Sequence, residues 1–377
     1  NLQGLSKKYN YNDIDSSPEE KIRGITINTT HIEYETNTKH CAHIDCPGHA
    51  DYIKNMIIGA TQMDIAILVI SIIDGIMPQT YEHLLLIKQI GIKNIIIFLN
   101  KEDLCNDIEL IEFIKLEITE LLNKYNFDMN FINILTGSAL NVINIIQNTK
   151  DFNLIKSNIW IQKLLHLVEI IDNIQIIYNN INDYFIMPIE DIFSITGRGT
   201  VVTGKIEQGC VNLNDEIEIL KFEKSSFLTN VIGLEMFKKQ LLQAQTGDNV
   251  GVLLRNIQKQ DIKRGMVLCK PNKLKVYKNF IAETYILTKE EGGRHKPFTI
   301  GYKPQFFIRT VDVTGEIIKI ISNNNNNNNS SPLVMPGDKV TLQIQLVHYV
   351  ALNLNMKFSI REGGKTIGAG IIINIIK

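Results

Sequence analysis

The sequence predicts a multi-domain protein, an α/β doubly wound domain followed by two antiparallel β-barrel domains. Three observations predict it. The chain has 377 residues, more than one ordinary core supports, and its 44% hydrophobic content can fill several cores. Apolar runs of strand length alternate with segments of helical period through the first half. Beyond an Asn-rich stretch at residues 173–183 the helical period gives way to short runs punctuated by glycine.

In chain order, residues 64–70, 95–99 and 131–135 are short apolar runs, as expected of parallel strands buried on both faces. Residues 79–89 and 107–124 carry Ile and Leu at helical spacing, and residues 159–171 close the domain as a helix. The first domain is therefore set at residues 1–175. The runs 199–206, 216–220 and 250–254 belong to a first barrel over residues 184–272. After Lys270-Pro271-Asn272 a second barrel runs over residues 276–377, with strict two-residue alternation at 340–346. The pure asparagine run 323–329 reads as a polar surface loop.

The net charge of −1 gives no global signal for nucleic acid, although a local patch can supply the field. Five cysteines without a Cys-x-x-Cys pair argue against zinc sites and a disulfide framework and point to a reducing compartment. No apolar run is long enough to cross a bilayer, and no membrane association is expected. Heavy use of Ile, Asn and Lys resembles the AT-rich coding sequences of reduced organelle genomes.

Chemistry concentrates in four segments. Asp45-Cys46-Pro47-Gly48-His49 is an Asp-x-x-Gly turn: Asp45 can reach Mg²⁺ and Gly48 can lend its N–H to a γ-phosphate. Asn100-Lys101-Glu102-Asp103 follows a buried strand. There Asp103 can accept from guanine N1–H and the 2-amino group, Lys101 can lie along the base, and Asn100 can brace neighbouring loops. Gly137-Ser138-Ala139-Leu140 follows the next strand, and the Ser138 and Ala139 amides can meet guanine O6. Upstream, Thr26 offers a hard oxygen to Mg²⁺. Each segment alone is weak; in this order, at strand ends, they specify a guanine-nucleotide site for GTP or GDP with Mg²⁺. A Gly-x-x-x-x-Gly-Lys-Ser/Thr phosphate loop does not precede Asp45. Of two decoys, residues 199–205 are followed by Ile206 instead of Ser or Thr, and Gly364-Lys365-Thr366 has Ser359 in place of its first glycine. The chain is read as N-terminally truncated, with residues 2–8 as the helix after that loop and weakened GTP binding by the fragment.

Together with residues 23–27, Gln62-Met63-Asp64, residues 74–79, 188–193, 197–204, 291–295, 302–306 and 361–366, these motifs resemble the bacterial-type elongation factor Tu family from end to end. Cys46 favours its bacterial or organellar branch. The resemblance implies a GTPase that delivers aminoacyl-tRNA to the ribosomal A site and hydrolyses GTP on codon recognition. It implies that His49 positions the attacking water and that Ile25 is half of a hydrophobic gate. Leu140 would complete the base site. For aminoacyl-tRNA it implies Lys54, Asn55 and Arg264 at the 5′ phosphate. His31, Glu190, Asp191, Phe193 and Asn249 would line the amino-acid pocket, with Glu235 at the terminal adenosine. Arg294, His295, Arg361 and Gly363 would lie along the T-stem. Gln79 and His83 resemble the face used by the exchange factor, elongation factor Ts. A monomer in an organelle, a plastid or apicoplast, is expected, with mitochondrion and bacterial cytoplasm as alternatives. The competing readings are a selenocysteine-specific factor, against which the 292–295 and 361–364 segments argue, and a binding module that no longer hydrolyses GTP.

Overall fold

The computed structural model describes residues 20, 26, 30–36, 38–48, 56, 63–148, 152–176, 183–195, 197–236, 239–289, 292–323 and 333–376. The segment 2–8, read as a helix from sequence, lies outside them. The chain divides into two units, residues 1–52 with 63–176, and residues 53–62 with 177–377.

In the first unit, β1 (Thr30–Glu35) and β2 (His40–Asp45) form an antiparallel hairpin, paired from Thr30↔Asp45 to Glu35↔His40. A separate sheet holds β3 (Ile65–Ser71), β4 (Asn94–Asn100) and β5 (Ile132–Thr136), all parallel, with β4 central. Its Ile95, Ile96, Ile97 and Leu99 are wholly buried, as a strand covered on both faces requires. Each such side chain contributes about 1.5–3 kcal/mol.

Helix α1 (Pro78–Ile90) begins with proline, whose missing N–H costs nothing in the first turn. It stops at Gly91, whose φ of 91° lets its amide and that of Ile92 both bond the Ile87 carbonyl. Helix α2 (Ile108–Lys124) is capped by Asp107, which accepts from the Glu109 and Leu110 amides, and it buries Ile111, Ile114, Ile118, Leu121 and Leu122. Helices α3 (Ala139–Asn148), α4 (Phe152–Ser157) and α5 (Ile159–Asn173) follow, packed around Val142, Ile155 and Ile161.

In the second unit, residues 186–269 build an antiparallel sheet of eight strands. Along its path lie β6 (Ile186–Pro188), β15 (Val267–Cys269), β10 (Glu216–Leu220), β11 (Ser226–Met236), β14 (Asn249–Leu254), β8 (Gly199–Lys205) and β7 (Asp191–Ile195). Strand β12 (Lys239–Leu241) pairs with β11, while β9 (Cys210–Asn212) and β13 (Gln243–Gln245) pair with each other. An Ile186↔Gln208 bridge draws the β6 edge to the residues after β8, so the sheet wraps on itself.

The following strands close completely, in the order β16 (Val276–Ile286), β19 (Lys339–Ala351), β18 (Val311–Asn323), β17 (Gln305–Ile308), β20 (Lys357–Glu362) and β21 (Lys365–Ile376). Closure removes exposed strand edges. Phe280, Phe306 and Phe358 fill the interior, with Phe280 edge-on to Phe358 at 5.5 Å. Polar contacts join the β modules, among them the Tyr349 amide on the Phe222 carbonyl at 3.2 Å. The Arg309 Nε lies 2.8 and 2.9 Å from the two carboxylate oxygens of Glu207, and the Thr310 hydroxyl donates to the Ile189 carbonyl at 2.9 Å. Both decoy segments are structural: residues 199–205 form β8, and Gly364-Lys365-Thr366 runs from the turn after β20 into the start of β21.

Candidate functional site

The register of the parallel sheet brings the chemistry together. Ser71 pairs with Asn100 and Leu99 with Thr136, so the loops after β3, β4 and β5 leave the sheet side by side at strand C-terminal ends. Asn100 Oδ1 accepts from the Ala139 amide at 3.0 Å, the bracing role its residue type suggests. The Glu102 amide donates to the Gly137 carbonyl at 3.1 Å, and the Gly137 amide to the Leu99 carbonyl at 2.9 Å. Three hydrogen bonds thus weld residues 99–103 to residues 137–140.

Lys101 adopts the left-handed conformation, φ 63° and ψ 31°, which is uncommon for a long side chain and marks a constrained turn. Its ammonium lies 3.4 Å from Asp74 Oδ2. The Ser71 hydroxyl and then Lys101 hold the Asp74 carboxyl below its ordinary range. Asp103 sits in the single helical turn Glu102–Leu104. Ser138 is buried and begins α3: its hydroxyl accepts from the Asn141 amide at 3.2 Å and its carbonyl from Val142. Ala139 and Leu140 are exposed beside it. Gly137 is required for packing, since a Cβ there would stand 2.7 Å from the Phe98 ring.

Across the unit, the Thr26 hydroxyl donates to Asp45 Oδ2 at 3.3 Å, although 19 residues separate them. Cis ligands of an octahedral Mg²⁺ stand about 2.9 Å apart, so this pair of hard oxygens fits that ion. His83 is mostly buried on α1 and bonds to the Gly48 backbone; burial pushes its pKa down and the hydrogen bond partly offsets that. Ile25, His49, Lys54 and Asn55 lie outside the described residues, and so does the side chain of His31.

A second group gathers in the second unit. One rung crosses four strands: Asp191 pairs with Thr203, Thr203 with Gly251, and Gly251 with Glu235. Asn249 pairs with Lys205 two positions away. Glu190, just before the rung, is 7% exposed and donates its amide to the Thr203 carbonyl at 2.9 Å. Burial, and next the Asp191 charge, push its carboxyl up to about 8, against the opposing pull of Arg264 and Lys205. Arg264 is brought there because Gly265 and Met266 bond to Ile189. Asn249 Oδ1 is buried without a hydrogen-bond partner among the described residues. Phe193 is exposed on the adjoining β7.

On the closed barrel, Arg294 Nη1 lies 3.2 Å from Glu362 Oε2, and the Arg294 guanidinium stacks 4.5 Å over the Tyr302 ring. His295 is exposed. Gly363 and Gly364 have φ of 54° and 84°, the two-residue turn that joins β20 to β21. Arg361 departs from the surface contact read from sequence. It is 3% exposed, its guanidinium bonds the Gly364 carbonyl, and it lies 5.6 Å from the centre of the Phe307 ring. A buried guanidinium of this kind holds the glycine turn in place. Sequence reasoning also missed Lys163 and Asp172, whose partners are remote in sequence and carry no local signal.

Parallel strands whose end loops carry these motifs, followed by two antiparallel β modules, define a translational GTPase. Sequence comparison agrees. Residues 2–180 match the elongation factor Tu GTP binding domain, residues 199–269 elongation factor Tu domain 2, and residues 273–376 the elongation factor Tu C-terminal domain. Over 376 residues the chain is 82% identical to "Elongation factor Tu, apicoplast" of Plasmodium falciparum (isolate 3D7), covering all of this chain and 91% of that protein. It is 58% identical over 378 residues to "Elongation factor Tu, apicoplast" of Theileria parva, with the same coverage. The chain belongs to the elongation factor Tu family. It is a translation elongation factor and GTPase of the apicoplast type that uses guanine nucleotide and works with aminoacyl-tRNA and the ribosome.

Proposed function

We propose that the loops after β3, β4 and β5 hold the guanine base, with Asp103 accepting from N1–H and the 2-amino group, Lys101 along the base face, and the Ser138 and Ala139 amides at O6. The observation that carries this reading is the Asn100–Ala139 hydrogen bond of 3.0 Å, which fixes the acceptor and donor loops relative to each other before any base arrives. Thr26 and Asp45 would hold Mg²⁺, and Gly48 would meet the γ-phosphate. The ion supplies charge neutralisation at the phosphates. His49 would orient the attacking water, with Ile25 gating its approach.

The second unit supports the aminoacyl-tRNA part of the reading. Glu190, Asp191, Phe193 and Asn249 would receive the amino acid. The buried Asn249 acceptor suits a protonated α-amino group. Glu235 would meet the terminal adenosine, and Lys54, Asn55 and Arg264 the 5′ phosphate. Arg294, His295 and the Gly363 backbone would follow the T-stem, with Arg361 shaping that turn. Such contacts grip RNA without reading its sequence. The factor acts as a monomer, and the face around Gln79 and His83 receives elongation factor Ts.

The test is protection of aminoacyl-tRNA ester from hydrolysis by the full-length protein. Protection with GTP, little with GDP, and loss of protection in Asn249→Ala with unchanged GTP affinity are expected. Equal protection by both nucleotides would contradict the reading.

A further inference from the structure

Helix α5 is tied at both ends. Near its start, Lys163 Nζ reaches Glu102 Oε1 at 2.5 Å and the Thr136 hydroxyl at 3.2 Å, and it lies 5.4 Å from the Trp160 ring centre. Glu102 is the third residue of the Asn-Lys-Glu-Asp loop, and Thr136 is the last residue of β5. Near its end, Asp172 accepts from the hydroxyls of Thr36 and Thr38, the latter at 2.9 Å. Lys39 Nζ donates to the Ile171 carbonyl at 2.7 Å and to that of Ile174. An ammonium on the last carbonyls of a helix also meets the negative end of its dipole.

Thr36, Thr38 and Lys39 form the tip of the β1–β2 hairpin, closed by the Thr36 amide on the Lys39 carbonyl at 2.8 Å. The other end of that hairpin carries Asp45, opposite Thr30. Lys163 and Asp172 are nine residues apart, about 13 Å along a rigid helix. One stiff element therefore touches the base-side loop with one end and the Asp45 hairpin with the other. Both ties use charged groups, and their partners stand 61 and 134 residues away in sequence.

We propose that α5 is a strut across the nucleotide site, with Lys163 and Asp172 as positioning residues that hold the Asn100–Asp103 loop and the Asp45 hairpin in register. The strut rests on the guanine-nucleotide reading of those loops. A helix bonded at both ends transmits a displacement of either loop to the other, whereas cutting one end leaves the remaining tie nothing to transmit.

The experiment measures release of a fluorescent GDP analogue from the full-length protein by stopped flow, beside thermal unfolding. Lys163→Met and Asp172→Asn should each speed release roughly fivefold. Lys163→Arg should restore the wild-type rate, because the guanidinium reaches the same carboxylate. The double variant should release nucleotide more slowly than the product of the two single effects predicts. Glu102→Gln, which keeps the side chain's shape, should repeat the Lys163→Met effect and serves if that variant fails to fold. Unchanged release rates with lowered thermal stability would overturn the proposal, as would single effects that simply multiply. Asp103→Ala separates the two levels. If it binds GDP as wild type does, the base-site reading fails and the strut falls with it. If Asp103→Ala loses GDP while Lys163→Met and Asp172→Asn release it normally, the strut alone fails.

Discussion

Asn100 Oδ1 and the Ala139 amide, 39 residues apart in sequence, meet at 3.0 Å and lock two loops that leave neighbouring parallel strands. Removing the acceptor leaves the Ala139 amide without that partner and frees the Asp103 loop to drift. Asn100→Ala should weaken GDP binding by about 2 kcal/mol, roughly thirtyfold. Equilibrium titration checks it, with thermal unfolding to separate affinity from stability.

Gly137 faces the Phe98 ring so closely that a methyl group there forces the ring aside. Gly137→Ala should cost about 1–3 kcal/mol of stability. Phe98→Leu in the same chain should recover part of that loss, since the two changes share one space. Thermal denaturation of the single and double variants checks both statements.

Glu190 gives a pH dependence whose sign follows from its carboxyl, about 8 in the folded protein against an ordinary 4.5. Below 4.5 it is protonated in both states. Between 4.5 and 8 the unfolded chain ionises while the native protein keeps the proton, so stability falls as pH rises. Above 8 the contribution is level. Glu190→Gln should remove this slope and be more stable than wild type at pH 8, by about 5 kcal/mol at most. Unfolding midpoints at pH 5 and pH 8 measure it.

Arg309 is nearly buried against Glu207 and also donates to the Ala351 carbonyl at 2.6 Å. Glu207→Ala strands a guanidinium that keeps only part of its bonding, and should cost about 1–3 kcal/mol. Glu207→Gln, which retains an acceptor, should cost less. Thermal unfolding of the two variants ranks them.

Local pattern made most of the first unit legible. The runs 64–70, 95–99 and 131–135 became strands within a residue of those bounds, because a short apolar run is the signal of a parallel strand. Strand β4 is covered on both faces as expected, whereas Val69 of β3 is exposed and β5 is half-buried. Helices α3 and α4 were not singled out, since both are short and lie in an Ile- and Asn-rich stretch without the length of a clear helical repeat. Full closure of β16–β21 depends on pairing between strands far apart, which no local period records. The Thr26–Asp45 contact was legible through motif order, whereas the inward turn of Arg361 follows from a glycine hairpin and an aromatic neighbour on another strand. Lys163 and Asp172 were invisible in sequence, because a charge on a helix face gives no sign of which loop it will hold.

The proposed guanine site depends on Asp103. Xanthine carries an oxygen where guanine has its 2-amino group, so an asparagine can donate to it where the aspartate cannot. Affinities of the full-length protein and of its Asp103→Asn variant for GDP and xanthosine diphosphate test this most directly. The variant should lose GDP affinity by at least about a hundredfold and gain xanthosine diphosphate. Unchanged GDP affinity, with no binding of the xanthine nucleotide, would contradict it.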